Sequence, residues 1–117
     1  MSDVHPAPGF APLPDPPYYA VIFASLRGAT DEGYGAMAEQ MAALAAQQPG
    51  YIGMENARDA TGFGLTVSYW IDEAALIAWK AVAKHQLAQQ LGKDRWYRHY
   101  ALRVAKVERQ YDGPEGR

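Results

Sequence analysis

The chain has 117 residues, a formal net charge of -2, 49% hydrophobic residues and no cysteine. That length suits one domain burying roughly two-thirds of its unfolded surface, and the missing cysteines exclude disulfides, thiolate metal sites and cysteine nucleophiles. The weakly acidic balance gives no electrostatic basis for a nucleic-acid partner.

Six of the eight prolines fall in residues 1–17, MSDVHPAPGFAPLPDPP. Proline fixes φ and removes backbone donors, so this segment is excluded from a sheet interior. It reads as an extended arm, disordered or laid against a neighbouring surface, and His5 within it is expected to be inert. The domain proper is expected over 18–110 and a frayed tail over 111–117.

Tyr18 to Arg27 is apolar on both alternating sets, which predicts a strand covered on both faces. The chain holds too few helices for a second layer, so a partner subunit is expected on one face. A turn follows, and Thr30 or Asp31 is placed to cap a helix reaching about Gln48. Tyr34, Met37, Ala38, Met41, Leu44, Ala45 and Gln48 form its stripe, in which Met37 and Met41 read as core or as the lining of an adaptable pocket. Pro49-Gly50 ends it. Tyr51 to Asp59 is a weaker strand, turned by Ala60-Thr61-Gly62 into a clearer one from Phe63 to Ile71, where aromatic and β-branched residues alternate.

Asp72 is an N-cap, with Ile71 and Leu76 at the positions of a hydrophobic staple. The helix runs from Glu73 to about Leu91. Leu76, Ala83 and Leu87 share its stripe, Trp79 and Leu91 lie on its edges, and Gly92 is a C′ residue. Arg98 to Gln110 alternates again as a last strand. The order β-α-β-β-α-β predicts an α+β, ferredoxin-like split βαβ fold with both helices on one face of an antiparallel sheet. The open apolar face is what a symmetric homodimer would bury.

Histidine spacing offers no metal site, and no glycine loop for phosphate is present. Residues 93–109 are locally basic. Their charges fall on both strand faces, which fits a solvated rim or a site for an anionic substrate. No apolar run approaches the roughly 20 residues of a membrane span, and the N-terminus lacks a secretory pattern, so a cytoplasmic protein without a membrane partner is expected.

The combination GYIGMENARD, then LTVSYWIDEAALIAWKAVAKHQLAQQLGKDRWYRHYALRVAKVER, resembles the antibiotic biosynthesis monooxygenase family over roughly 18–109. Its most specific part is Ser68-Tyr69-Trp70, the acidic cap, Trp79, His85 and the turn ending in Trp96-Tyr97. The resemblance implies a dimeric α+β barrel and oxygen chemistry without metal or flavin, in which a small hydroxylated aromatic or quinol supplies the electrons. Such a reaction needs a base, donors that stabilise the substrate anion, and an apolar pocket that excludes water.

The resemblance makes Trp79 a pocket wall. His85 is the candidate base because imidazole titrates near neutral pH, while Tyr69, Tyr97, Tyr100 and Ser25 are candidate donors to substrate. Haem-binding or haem-degrading relatives carry a first-strand asparagine, absent here, and a histidine ten residues after the helix tryptophan, where His85 follows Trp79 by six; haem is disfavoured. At about 100° per residue, His85 lies about 120° from Trp79 around an unbroken helix. A non-catalytic ligand-binding dimer is the other alternative. Trp70 and Trp96 read as packing residues, and His99 as a strand residue beside Arg98.

Overall fold

The computed structural model describes residues 7–28, 34–91 and 97–114, with 34–38 and 87–91 described by their backbone alone. Six elements follow in order: β1 (Tyr18–Arg27), α1 (Tyr34–Ala46), β2 (Tyr51–Arg58), β3 (Phe63–Trp70), α2 (Glu73–Leu91) and β4 (Tyr97–Val107). The strands form one antiparallel sheet in the order β2-β3-β1-β4. This is the expected ferredoxin-like arrangement, with β1 at the centre between β3 and β4. The caps expected at Thr30 or Asp31 and at Gly92, and the turn residue Trp96, lie outside the described residues.

Element ends differ from the expected ones for local reasons. β2 stops at Arg58 because Asp59 turns the chain. Its Oδ1 accepts from Thr61 Oγ1 (2.6 Å), Thr61 N (2.9 Å) and Phe63 N (3.1 Å). The Thr61 hydroxyl, with backbone amides behind it, holds the Asp59 carboxyl below its usual range. α1 closes at Ala46 with i→i+3 bonds, from Gln47 N to Leu44 O (3.2 Å) and Gln48 N to Ala45 O (3.0 Å). Gly50 then takes a φ of 85°, the left-handed conformation that glycine adopts most cheaply.

Asp72 is the N-cap of α2: its Oδ1 accepts from Ala75 N at 2.8 Å. Asp72→Ala is expected to cost about 1 kcal/mol in urea unfolding, the usual worth of such a cap. Leu76 goes into the core, while Ile71 stays 58% exposed and lies over Gly50.

The core lies between the sheet and the helices. It gathers Val21, Ala45, Trp70, Leu76, Trp79 and Ala83, with Tyr19, Met41, Leu44, Tyr51, Met54 and Leu102 against it. Trp79 lies at the edge of the buried set Leu76, Trp79 and Ala83, and the partly buried Ala75 and Val82 widen the α2 stripe beyond it. Trp70 is fully buried, stacked on Trp79 (5.7 Å, 21°) and met edge-on by Tyr51 (5.7 Å).

The opposite sheet face is covered in part by the chain's own arm. Ala11 N donates to Glu55 Oε2 (3.0 Å), and Gln110 Nε2 donates to Pro14 O (2.9 Å). A Cβ on Gly53 would sit 2.9 Å from Ala11 Cβ, so glycine at 53 lets the arm lie flat on β2. Beneath the arm Tyr18 is 3% exposed and Ala20 4%. Toward the other end of this face Phe63 and Leu65 remain 45% and 43% exposed.

Candidate functional site

A cavity of about 230 Å³ opens between the sheet and the two helices. Val21 and Phe23 of β1, Leu102 and Tyr97 of β4, and Met54 of β2 form its apolar floor. Met41 and Ala42 of α1 with Trp79 and Ala83 of α2 form its roof. Apart from the Tyr97 phenol on β4, the polar side chains come from one side: Asn56 and Arg58 from β2, Thr66 and Ser68 from β3.

That placement follows from strand register. Asn56 pairs with Thr66 and Arg58 with Gly64, so alternation turns Met54, Asn56 and Arg58 to the helix side. Ser68 is buried and accepts from Trp70 Nε1 (2.9 Å), which satisfies both groups.

Arg58 is held by a local frame. Its Nη2 donates to Ser25 Oγ at 3.0 Å and its Nη1 to Gly62 O. Ser25 and Arg58 are both Cα partners of Gly64, on its two sides. The guanidinium lies against that glycine, where an added Cβ would come within 2.7 Å of Arg58 Cζ.

The structure separates the residues singled out in the sequence. Trp79 and Tyr97 line the cavity. Ser25 is 3% exposed and reaches the site through Arg58. Tyr100 packs beside it, against Phe23 (5.5 Å) and Tyr97 (6.0 Å). His85 is on the exposed side of α2 and does not line the cavity. Its angular distance from Trp79 explains this, since the helix is unbroken between them. His99 is likewise exposed. Met41 joins the cavity wall, while the side chain of Met37 lies outside the described residues.

Tyr69 points to the opposite face, where its hydroxyl donates to Glu55 Oε1 at 2.7 Å and its ring meets Tyr18 edge-on at 5.7 Å. Burial first, then the hydrogen bond to Glu55 and that carboxylate's charge, push the Tyr69 phenol well above its ordinary value. A raised phenol pKa means that the folded state holds a proton the unfolded chain releases. This contribution is therefore complete below about pH 10, the unfolded value, and is lost as pH rises further. Thermal unfolding followed from pH 8 to pH 11.5 is expected to show a fall in Tm beginning near pH 10. The fall should be shallower in Tyr69→Phe.

Four antiparallel strands with two helices on one face, enclosing an aromatic-walled cavity, define a ferredoxin-like α+β domain with an internal cavity. The profile of the antibiotic biosynthesis monooxygenase family matches residues 17–91, and the chain belongs to that family. It is 53% identical over 97 residues to the protein YqjZ of Bacillus subtilis (strain 168), covering 83% of this chain and 85% of that one. A 46-residue stretch is 41% identical to the jasmonate monooxygenase of Pyricularia oryzae; it covers 39% of this chain and 21% of that enzyme. Among solved structures, PA3566 from Pseudomonas aeruginosa superposes with a TM-score of 0.61 at 14% identity, over 81% of this chain and 96% of that one. A structure from Shewanella loihica PV-4 gives 0.50 at 20% identity, over 80% and 98%. These two show the shared fold. No described helix is long and apolar enough to cross a membrane.

The residues missed in the sequence are Asn56, Arg58 and Thr66. Their signal was available in β2, where a strand's inward set turns from Met54 to two polar side chains.

Proposed function

We propose that the chain is a monooxygenase acting on a small hydroxylated aromatic or quinol bound in the cavity between sheet and helices, with the substrate itself supplying the electrons. The observation that supports this most is the cavity, apolar on floor and roof, walled by Trp79 and polar on one side, in a chain of this family. Flat aromatic substrates suit such a wall.

The reaction balances without a further reductant. A phenol or anthrone ring takes up O2; one oxygen atom becomes a second ring carbonyl opposite the oxidised hydroxyl, and the other leaves as water with the two hydrogens removed. A quinol, already oxygenated there, gains its atom at a ring C–H and leaves as the hydroxyquinone, again with one water. Deprotonation precedes it, because the anion is the better electron donor. In this reading Trp79 and Tyr97 orient the ring, and the apolar walls keep water from the reacting carbon. Since His85 does not line the cavity, the proposal gives the proton to water at the cavity mouth.

Oxygen uptake with a panel of anthrones and hydroquinones tests the reading, in protein stripped of metal and flavin. Wild-type turnover that falls about tenfold or more in folded Trp79→Ala, about 1.4 kcal/mol of transition-state stabilisation, is the expected result. Turnover no faster than buffer across the panel would overturn it. His85→Ala decides the proton acceptor: retained turnover leaves the proton to solvent, and turnover lost with the fold intact brings His85 into the reaction.

The same reading includes a homodimer. Among the described residues the arm covers one end of the outer sheet face, and Phe63 and Leu65 form an exposed apolar patch at the other. A second copy related by a two-fold axis would bury it. Light scattering at micromolar concentration is expected to give twice the chain mass, and Leu65→Arg the single mass. A monomeric wild type would refute this part alone.

A further inference from the structure

We propose that Arg58 is an anion seat: the cavity's ligand carries an acidic oxygen, phenolate or carboxylate, placed beside the Arg58 guanidinium, with its apolar body directed toward Trp79. This rests on the cavity being the ligand site, though not on the oxygen chemistry.

Three observations carry it. Arg58 forms part of the wall of a cavity whose floor and roof are otherwise apolar. A cation in such a wall favours the charged form of a ligand's acid far more than it would in water. Second, the guanidinium is fixed rather than mobile: Gly62 O and Ser25 Oγ hold its two terminal nitrogens, and it rests on Gly64. A pre-set planar cation recognises an anionic oxygen without the entropy cost of ordering a long side chain. Third, the polar groups are segregated. Asn56 and Thr66 stand next to Arg58 on the same side of the cavity, whereas Met41, Met54 and Leu102 face the rest of it. That division matches an amphipathic ligand with one oxygenated end. The cavity's 230 Å³ falls below the roughly 300–1,000 Å³ of drug-sized sites, so the ligand is small.

The seat also assigns a reason to Ser25 and Gly64, two residues without catalytic chemistry of their own here. Ser25 orients the guanidinium, and the missing Cβ at 64 makes room for it.

The test is calorimetric binding by the full-length protein of three probes of one shape: 2-naphthoate, 2-naphthol and the neutral 2-naphthamide. The carboxylate is expected to bind about tenfold or more tighter than the amide at pH 7.5, as a charge-assisted hydrogen bond would give. Arg58→Gln should remove that preference, bringing the carboxylate's affinity down to within a few-fold of the amide's in the same variant. For the phenol arm, naphthol bound to wild type should show phenolate absorbance at a pH where free naphthol is neutral, and should lose it in Arg58→Gln. A phenolate signal without carboxylate preference would assign the seat to phenolates, and the reverse to carboxylates.

Arg58→Gln also breaks the bond to Ser25, so Gly64→Ala provides a second variant. Its Cβ would stand 2.7 Å from Arg58 Cζ and push the guanidinium out of its hydrogen bonds to Ser25 and Gly62, with no backbone atom as close. The carboxylate preference should fall several-fold there too. Equal binding of all three probes to wild type, or a preference that survives in both variants, overturns the anion seat while leaving the cavity as a ligand site. Binding of none overturns both.

Discussion

Trp70→Ala is expected to lower the unfolding free energy by about 3–5 kcal/mol, the usual cost of removing a large buried aromatic side chain. The indole is fully buried, stacked on Trp79 and met edge-on by Tyr51. Truncation leaves a void between β3 and α2 and strips Ser68, itself 4% exposed, of the indole N–H it accepts. Both losses act in one direction. For a chain of this length the drop in Tm should be roughly 10–25 °C. Trp70→Phe is the intermediate case, because it keeps one aromatic ring in place and loses the hydrogen bond with only part of the indole volume, for about 2–3 kcal/mol. Guanidinium unfolding of the three proteins checks the ranking. A Trp70→Ala loss below about 1.5 kcal/mol would mean that α2 collapses onto the sheet and fills the space. Such a collapse would be visible in the site as well. Trp79 roofs the cavity and leans on Trp70, so the variant should also lose ligand affinity although Trp70 does not line the cavity.

Much of this architecture was legible before the structure. The alternation of β1 and β3, the Asp72 cap and the hairpin at Asp59 to Gly62 are local signals, each set by the period of the backbone or the reach of one side chain. They lead to the element order and the ferredoxin-like class without information about long-range contacts. The arm was harder to place. Its prolines show that it stays out of the ladder, but its course over Gly53 depends on a glycine across the sheet and on Glu55, neither adjacent in sequence. The doubly apolar β1 accordingly pointed to a partner subunit, and the chain itself supplies part of that cover.

The site divided along similar lines. Trp79 and Tyr97 were found because large aromatics at a resemblance's specific positions are conspicuous. Arg58 carries no such signal, because YIGMENARD reads only as a weak strand. Only the register against β3 shows that Asn56, Arg58 and Thr66 share one wall. His85 attracted attention by its chemistry, yet helix geometry placed it about 120° from Trp79. Residue type proposed the site, and angular position decided which residues reach it.

Gly50→Ala is the second substitution expected to have a large effect, about 2–4 kcal/mol, combining left-handed backbone strain with a steric collision. Gly50 has a φ of 85°, and an added Cβ would stand 2.4 Å from Ala75 Cβ and 3.2 Å from Ile71 Cγ2. Ala75 belongs to the first turn of α2, whose backbone is anchored by the Asp72 cap, so the neighbour has little room to move. Gly62 serves as the control, since its φ is 96° but its Cβ would meet Arg27 Cβ at an ordinary 3.4 Å. Gly62→Ala should therefore cost only the conformational part, about 1–2 kcal/mol. The double variant Gly50→Ala/Ala75→Gly removes the colliding methyl and should recover part of the loss, beyond the roughly 1 kcal/mol that glycine costs within a helix. Additive single effects would place the cost in the backbone alone. Non-additivity would show that the α1–β2 connection is packed on α2 at fixed distance, so that the spacing of the two helices roofing the cavity is set at Gly50, away from the cavity itself.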